Sequence, residues 1–395
     1  MQKRVRVLRI VTRLGVSGPS WQCIFLTERL NSYGFESMLV CGVEEQYEGN
    51  MFDLAHKIGI NPLVIPQLRR EIFIFRDLMV VIKLYLLMKK YKPHIVHTHT
   101  SKAGTLGRIS AWLAGVPVII FTLHGSYFQG YFSRVKTNVL IHIERILAMI
   151  TDRIIAVSQQ ERSDILQNKI GNESKVINIP LGLELDDLLT CERFRGTLRN
   201  ELGIDSNKKL IGIIARLVPI KGHRFFLESA KLVLQSHSNV LFLVIGDGEL
   251  QKELKEYAES LGISDKVMFL GFRKDLPVIY ADLDIVALSS LSEGLPVTII
   301  EGMASAKPIV AARVGGVPEL LDEGNAGIIV PAANPQELAR GIIKILDNPD
   351  IAKKMGEYGR QTAMSRYRVD TLVENIAKLY EQLLEEKGLI QKSEC

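Results

Sequence analysis

The stretch that decides the fold is IVALSSLSEGLPVTIIE, residues 285–301. Its first residues, Ile285–Leu288, form a short apolar run of the kind found in buried strands. Small and polar residues follow, and Pro296 suits the first position of a helix because its missing N–H would have no intrahelical partner there. We therefore predict a strand, a turn and a helix over Pro296–Ser305, which is the repeating unit of a parallel α/β sheet.

The same alternation of Val- and Ile-rich runs with helical segments extends through the second half of the chain. Further strands are predicted at Leu210–Ala215, Leu241–Ile245, Lys266–Leu270, Pro308–Ala311 and Gly327–Val330. Further helices are predicted at His223–Gln235, Leu250–Leu261 and Pro335–Asn348. Nearly continuous apolar strands separated by helices indicate a parallel sheet that is covered on both faces.

The first half repeats this pattern. Its predicted strands are Val5–Val11, Ser37–Gly42, Ile95–Thr98, Val118–Leu123, Ile154–Val157 and Val176–Ile179. Its predicted helices are Trp21–Tyr33, Arg76–Tyr91, Ala103–Ala114 and Val135–Met149. The sequence thus predicts an α/β fold of two doubly wound, Rossmann-like domains, 1–183 and 184–368, that face each other across a cleft. We expect a polar linker at Leu183–Lys208 and a C-terminal helix, about 369–387, that packs back on the first domain.

Composition narrows the class of protein. The chain has 395 residues, of which 47% are hydrophobic and 24% charged, so a disordered chain is excluded and two domains are favoured. The N-terminal segment lacks the apolar run of a signal peptide, and the longest apolar region, Ile72–Met88, is interrupted by charges that argue against a membrane span. The four cysteines are Cys23, Cys41, Cys191 and Cys395. Their spacing matches neither a metal site nor a disulfide framework, which favours a reduced, cytoplasmic setting.

Charge is divided unevenly along the chain. Residues 1–182 hold 23 Lys and Arg against 13 Asp and Glu, whereas residues 183–395 hold 26 against 31. A basic half suits nucleic acid, anionic lipid or a phosphorylated acceptor as a partner. The alternative is a solvated surface whose asymmetry has no function.

The turn and helix at 293–301 carry the strongest chemical signal. Thr298 and Glu301 are spaced to share one helix face, and Glu293 lies just before the helix. The free backbone N–H groups within Gly294–Val297, a stretch that includes Leu295 and Pro296, form a natural anion site at the helix start. A sugar diphosphate bound there would have a carboxylate at each end for sugar and ribose hydroxyls. The alternative is a capped helix with two surface glutamates.

A second signal is the segment ARLVPIKG, which begins where the predicted strand Leu210–Ala215 ends. Its Arg216 guanidinium and Lys221 ammonium could bracket a diphosphate and neutralise the charge that builds on a nucleoside-diphosphate leaving group. The alternative is that both side chains are exposed loop charges.

Two turns in the first half are weaker candidates. Gly15-Val-Ser-Gly18 resembles part of a dinucleotide fingerprint without the third glycine, and Gly18 would let the backbone approach the ligand. His124 follows the strand Val118–Leu123 and precedes Gly125, so it is predicted to hydrogen-bond a donor sugar hydroxyl or to move a proton. A structural histidine is the alternative.

Other patterns predict little chemistry. His97 and His99 lack a neighbouring carboxylate or Cys that would complete a metal site, and Asp282-Leu-Asp284 is interpreted as a turn into a strand. We therefore expect no metal and no other cofactor. Gly246-Asp-Gly248 is expected to be a tight turn whose backbone lines the cleft. Gly315-Gly316 is another strand-end turn, either structural or facing the donor.

These motifs, in this order, resemble the GT4 family of retaining glycosyltransferases. The matching text is ARLVPIKG, VIGDGEL, LSSLSEGLPVTIIEGMASAKPIVA and GGVPEL. The resemblance implies a GT-B fold, a nucleotide-sugar donor and no obligatory metal. It also implies that Arg216 and Lys221 hold the diphosphate, that Glu293 and His124 meet the donor sugar and that Glu301 meets the ribose. Pro180-Leu181-Gly182 departs from the Pro-Asn-Gly that the family often has, so no polar role is assigned there.

The narrower stretches HTHTSKAGTLGR and HGSYFQGYF are similar to family members that build bacterial surface polysaccharide or polyprenyl-linked oligosaccharide. The resemblance therefore predicts a glycan or polyprenyl-linked acceptor, and we expect no nucleic acid partner. Aromatic and basic residues over Tyr127–Lys136 predict contact with an anionic membrane, on the inner face of the cell membrane. The rival functions are a non-hydrolysing sugar-nucleotide epimerase and a non-catalytic nucleotide-sugar sensor.

Overall fold

The structure is a computed structural model that describes residues 4–43, 49–125 and 134–391. The chain divides into two compact units. The first comprises residues 1–183 together with 369–395, and the second comprises residues 184–368. Each unit is built on a parallel sheet with helices between successive strands, which confirms the predicted α/β class of two doubly wound domains.

The first unit contains one parallel sheet. Its strands are β1 (Val5–Val11), β2 (Phe35–Cys41), β3 (Leu63–Val64), β4 (Ile95–His99), β5 (Val118–Leu123), β6 (Arg153–Ala156) and β7 (Val176–Asn178). Its helices before residue 183 are α1 (Gly18–Arg29), α2 (Phe52–Lys57), α3 (Ile74–Tyr91), α4 (Ser101–Ala114), α5 (Arg134–Met149) and α6 (Gln159–Gln167). The strand order is β3-β2-β1-β4-β5-β6-β7, so the sheet changes direction of winding between β1 and β4.

The second unit repeats the design. Its strands are β8 (Lys209–Ile214), β9 (Val240–Ile245), β10 (Val267–Gly271), β11 (Ile285–Leu288), β12 (Ile309–Ala312) and β13 (Gly327–Val330). Its helices are α7 (Asp186–Leu189), α8 (Thr197–Leu202), α9 (His223–Leu234), α10 (Gln251–Ser260), α11 (Leu276–Asp282), α12 (Val297–Ala304), α13 (Val317–Leu320), α14 (Pro335–Asp347) and α15 (Pro349–Arg366). The order β10-β9-β8-β11-β12-β13 places the switch point between β8 and β11.

The last helix, α16 (Val369–Glu386), returns the chain to the first unit. Leu372, Ile376, Tyr380 and Leu383 recur at helical spacing and are buried in one cluster with residues of the first sheet such as Val7. The buried strand residues of this cluster come from β1, β2, β4, β5 and β6. A helix from the C-terminal end of the chain therefore completes the core of the N-terminal unit.

Two segments differ from the prediction, for identifiable reasons. Leu183–Lys208 is not an irregular linker, because α7 and α8 lie within it and the N–H groups of Gly196 and Arg199 donate to the Asp282 carboxylate. Helix α15 is not predicted by apolar periodicity because its buried residues are the small Gly356, Gly359 and Ala363. Short 3-10 helices lie at Leu30–Tyr33, Cys191–Phe194, Pro219–Lys221, Ser264–Lys266 and Asp322–Gly324.

None of the described helices is both long enough and apolar enough to cross a bilayer.

Candidate functional site

The predicted site residues of the second unit lie at the carboxyl ends of neighbouring strands. Arg216–Lys221 follows β8, Gly246–Gly248 follows β9, and Glu293 lies between β11 and α12. Strands β8 and β11 pair in parallel at the switch point of the sheet. Open α/β sheets bind their ligands in the crevice at such a point.

An ion pair joins the two strongest motifs. Lys221 Nζ lies 2.6 Å from Glu293 Oε1, and the Ser290 hydroxyl donates to the same oxygen at 2.6 Å. The two charged side chains are only 21% and 9% exposed, so the contact is partly shielded from water and is stronger than a surface pair. The Lys221 ammonium has three N–H donors, of which Glu293 occupies one. The arrangement can therefore bind a further anion.

Backbone contacts hold these two loops in register. The Leu291 N–H donates to Ile220 O at 2.8 Å, and the Ser289 hydroxyl donates to Lys221 O at 3.2 Å. The position of Lys221 relative to Glu293 is thus set by the main chain as well as by the ion pair.

Gly246 packs the turn after β9 against the segment that follows β8. Its φ is +141°, and a Cβ at this position would lie 2.0 Å from Ala215 O, so a side chain is excluded. Gly248 approaches Leu217 O in the same way, and the Leu217 N–H donates to Asp247 O at 2.9 Å. Both glycines thus pack against the segment that carries Arg216, whose side chain is exposed. The predicted role of this turn in lining a ligand cleft stays a prediction.

The start of α12 differs by one residue from the prediction. Pro296 is the N-cap, with φ −71° and ψ 116°, and the helix begins at Val297 because the Pro296 backbone is still extended. Leu295 and Pro296 are buried, so only their backbone is suited to meet a ligand. Gly294 O accepts from the Gly316 N–H at 2.7 Å, which places the Gly315-Gly316 turn against this loop.

Glu301 shares a buried contact with Tyr280 of α11. The Tyr280 hydroxyl lies 3.0 Å from Glu301 Oε2 and 3.1 Å from Thr298 O. Burial raises the pKa of Glu301 to about 7, and the hydrogen bond to Tyr280 opposes that rise. The Thr298 hydroxyl donates to Ile214 O at 3.0 Å, so its proton is engaged in the fold. No local sequence signal identifies Tyr280, because it belongs to another helix.

His124 follows β5 in the first unit. Its Nε2 lies 3.1 Å from His99 Nδ1, and burial lowers its pKa to about 3, so the imidazole is neutral near pH 7. The Glu161 carboxylate accepts from the Gly125 N–H at 2.7 Å and from the Val157 N–H at 2.8 Å, which fixes the turn that carries His124. Burial raises the pKa of Glu161 to about 8, although these two backbone bonds oppose the shift. The Ser158-x-x-Glu161 pattern, typical of a helix start, is the sequence signal that points to this residue.

The remaining predicted residues have structural partners. Gly18 is the first residue of α1. The nitrogens of His97 lie 2.7 Å from the hydroxyls of Tyr380 and Thr122. Asp284 forms ion pairs with Arg199 and Lys209. Asp282 accepts a hydrogen bond from the backbone just before α8. Within the described ranges, no group of three or more His, Cys, Asp and Glu could hold a metal ion.

The aromatic part of Tyr127–Lys136, residues 127–132, lies outside the described residues. Its end at Arg134–Lys136 opens α5.

Comparisons with known proteins identify the family of this chain. The family model for glycosyl transferases group 1 matches residues 194–362, and the model for glycosyltransferase family 4 matches residues 16–187. An Escherichia coli UDP-Gal:alpha-D-GlcNAc-diphosphoundecaprenol alpha-1,3-galactosyltransferase is 28% identical over 82% of this chain and 84% of its own length. The Staphylococcus aureus capsular polysaccharide biosynthesis glycosyltransferase CapM is 26% identical over 82% and 85%.

Solved structures share the fold. Anabaena HepE in complex with UDP has a TM-score of 0.81 at 24% identity, covering 96% of this chain and all of that one. A glycosyltransferase from Rickettsia africae has a TM-score of 0.79 at 22% identity, covering 97% and 99%. The two family models occupy successive parts of the chain and together span most of its length, and the chain belongs to the GT4-type glycosyltransferases of GT-B fold.

Proposed function

We propose that the protein is a retaining glycosyltransferase that moves a hexosyl or N-acetylhexosaminyl group from a uridine-diphosphate sugar to a polyprenyl-linked saccharide. Its product would be a precursor of bacterial surface polysaccharide. The observation that carries the proposal is the contact of 2.6 Å between Lys221 and Glu293 at the β8–β11 switch point. It brings together a cation, which would bind phosphate, and a carboxylate, which would bind the sugar.

The donor would be divided among the groups of this site. Arg216 and Lys221 would hold the diphosphate with the N–H groups at the start of α12, because cations and helix N-termini both stabilise phosphate. Glu293 would accept from sugar hydroxyls and Glu301 from the ribose. The choice of uridine is supported by UDP in Anabaena HepE and by the UDP-Gal donor of the Escherichia coli relative.

We favour a front-face displacement for the chemical step. The acceptor hydroxyl oxygen forms a bond to the anomeric carbon on the face that the diphosphate leaves, and the carbon–oxygen bond to the diphosphate breaks with its electron pair. The acceptor proton passes to the departing phosphate oxygen. Arg216 and Lys221 stabilise the charge that develops there, which is the usual task of preorganised cations in such transfers.

A transfer assay with a panel of UDP-sugars and a GlcNAc-diphospholipid acceptor tests the proposal. We expect one donor to be consumed only with acceptor present, and NMR of the product to show the donor's anomeric configuration. Epimerised UDP-sugar formed without acceptor would favour the epimerase. Donors that raise the thermal midpoint but are never consumed would favour a non-catalytic sensor.

An exposed apolar surface supports a membrane partner for the first unit. We define the apolar face as the exposed large apolar side chains on α3, α4, α5 and the segment just before α3. Its most exposed members are Ile72, Ile74, Phe75, Val135 and Met149. Surfaces of this kind mark interaction sites when they are contiguous, and α4 packs against both α3 and α5.

Charge around α3 favours an anionic bilayer over a protein partner. Exposed cations precede α3, lie in its last turn or follow it directly: Arg69, Arg70, Lys89, Lys90 and Lys92. Each cation near an anionic surface contributes on the order of 1 kcal/mol, while apolar side chains insert at the acyl boundary. We propose that the apolar face binds the inner leaflet of the cell membrane and keeps the enzyme near its lipid-linked acceptor.

Sedimentation with vesicles tests this binding. We expect binding to phosphatidylglycerol-containing vesicles, weakened by salt and by the double change Ile74→Ser and Phe75→Ser. Phe272→Ser is the matched control, because Phe272 is a similarly exposed aromatic residue in the second unit. Equal binding to neutral and anionic vesicles would contradict the proposal.

A further inference from the structure

Three imidazoles lie in a row beside the switch point of the first sheet. The ring centroids of His97 and His99 are 4.2 Å apart, and those of His99 and His124 are 5.4 Å apart. His99 ends β4 and His124 follows the neighbouring strand β5. Burial lowers the pKa of all three imidazoles below the ordinary range, with Arg9 and the neighbouring rings adding to the effect on His97 and His99. Near pH 7, each ring therefore carries a single N–H.

The innermost ring, His97, is held in one protonation pattern. An N–H of the buried Arg9 guanidinium donates to the Tyr380 hydroxyl at 3.0 Å, so that hydroxyl accepts from Arg9 and has its own proton to give. Its partner at 2.7 Å is His97 Nδ1. His97 then carries its proton on Nε2 and donates to the Thr122 hydroxyl at 2.7 Å. Helix α16 thus fixes the ring on which His99 stacks.

The protonation of the next ring follows from burial. His99 Nδ1 lies 3.1 Å from His124 Nε2, whereas His99 Nε2 is buried without a hydrogen-bond partner among the described residues. A proton on Nε2 would be a buried N–H with no acceptor, which folded proteins rarely contain. A proton on Nδ1 is used in the contact with His124. His99 therefore donates from Nδ1, and His124 accepts at Nε2.

The consequence reaches His124. Because its Nε2 accepts, the single proton of this neutral ring is on Nδ1, the nitrogen that His99 does not occupy. We propose that His99 is a positioning residue that fixes His124 as an Nδ1–H donor for an oxygen of the bound sugar. The tautomer follows from the hydrogen-bond geometry of neutral rings, and the sugar as the acceptor of that hydrogen bond rests on the function proposed above.

This assignment distinguishes two roles for His124. In the fixed tautomer it offers a hydrogen bond to a hydroxyl oxygen, as a sugar-specificity contact. In the other tautomer Nδ1 would be bare and would act as an acceptor or a base. The buried neighbouring rings favour the donor role, since an imidazolium at His124 would have to form beside them and near the Arg9 guanidinium.

NMR of the protein labelled with 15N-histidine tests the tautomer directly. We expect the ring nitrogens of His124 to report a proton on Nδ1 in the wild-type protein. His99→Leu removes the donor, and we expect the Nδ1–H population of His124 to fall. His99→Asn keeps an amide donor at the same number of bonds from Cα, and it should preserve that population. Exposed His142, changed to Asn, is the matched control.

Kinetics tests the positioning role. We expect His99→Leu to lower kcat/KM for the sugar donor about tenfold, the scale of one lost hydrogen bond, with most of the loss restored in His99→Asn. His142→Asn should leave kcat/KM unchanged. If His99→Leu does not fold, the wild-type spectrum and His99→Asn still decide the question.

A wild-type His124 protonated on Nε2, or a tautomer unchanged in His99→Leu, would overturn the assignment. A shifted tautomer with unchanged kcat/KM would overturn the positioning role. If no sugar nucleotide is transferred, the proposed function fails while the spectra still report the tautomer, so the two failures are distinguishable.

Discussion

The strand-end sites of the two units handle charge in opposite ways. In the second unit, Lys221 and Glu293 form a partly shielded ion pair beyond the carboxyl ends of β8 and β11. In the first unit, His124 lies over buried imidazoles whose pKa values are lowered until the rings are neutral. The difference indicates a division of labour: one unit presents charge suited to a diphosphate, and the other presents uncharged hydrogen bonds suited to hydroxyls.

Removing the cation of the second unit should have the largest effect. We expect Lys221→Ala or Arg216→Ala to lower kcat/KM at least about a hundredfold, because each would remove a charge that stabilises the leaving group. Lys209→Ala is the control. Lys209 also forms an ion pair, but it lies at the start of β8, whereas Arg216 and Lys221 follow the end of that strand. Near-normal steady-state kinetics in both site variants would remove the diphosphate role from this unit.

In the first unit, we expect the loss of a buried hydrogen bond to lower the free energy of unfolding. Tyr380→Phe leaves the buried Arg9 and His97 with one hydrogen-bond partner fewer, and we expect a loss of about 1–3 kcal/mol in the free energy of unfolding. Tyr358→Phe, which removes a half-exposed hydroxyl bonded to Asp322, should cost under about 0.5 kcal/mol. The measurement is urea unfolding of both variants, and equal losses would contradict the buried network.

The carboxyl of Glu301 should make the stability of the protein depend on pH. Burial raises its pKa to about 7 in the fold from an ordinary value of 4.5, so the folded protein binds more protons than the unfolded chain between these values. Stability from this group is present below about pH 4.5 and is lost as the pH rises through 7. We expect Glu301→Gln to gain on the order of 3 kcal/mol relative to wild type at pH 8 and under about 0.5 kcal/mol at pH 4.5.

Urea unfolding at the two pH values measures this effect, with exposed Glu256→Gln as the control. A gain that does not depend on pH would show that burial does not raise the Glu301 pKa. Donor affinity should fall in Glu301→Gln if the carboxylate binds the ribose.

The smallest expected effect is that of metal removal. Asp282 and Asp284 bind the backbone and side chain of Arg199, so we expect neither to serve a metal. Activity in excess EDTA should stay within about twofold of the untreated enzyme, because cations of the protein would do the work of a Lewis acid. Complete loss of transfer, restored by Mg²⁺ or Mn²⁺, would return these aspartates to consideration.

Strand positions could be predicted from the sequence because buried parallel strands are continuous apolar runs. The predicted bounds of β1 and β5, Val5–Val11 and Val118–Leu123, are those of the structure. The residues after β8 and β11 could be predicted to lie close together, because ligand-binding residues of open α/β sheets lie at the carboxyl ends of strands near the switch point. The contact of Lys221 with Glu293 agrees with that reasoning, while the ligand roles stay predictions.

Contacts between distant elements could not be predicted. Tyr280 reaches Glu301 from α11, and Tyr380 reaches His97 from the far end of the chain, with no local pattern at either tyrosine. The sequence pattern treats His99 only as half of an incomplete metal pair with His97. Its contact with His124 could not be predicted, because His124 follows a different strand. Apolar periodicity also fails for α15, whose small buried residues carry no hydrophobic signal.

Calorimetric titration of UDP and UMP into the wild-type protein and Lys221→Ala tests the central claim most directly. If the second unit holds a diphosphate through Lys221, UDP should bind the wild type at least about tenfold more tightly than UMP, and Lys221→Ala should lose most of that preference. Lys209→Ala should retain it. Equal affinity of the wild type for UDP and UMP, or an undiminished preference in Lys221→Ala, would contradict the account.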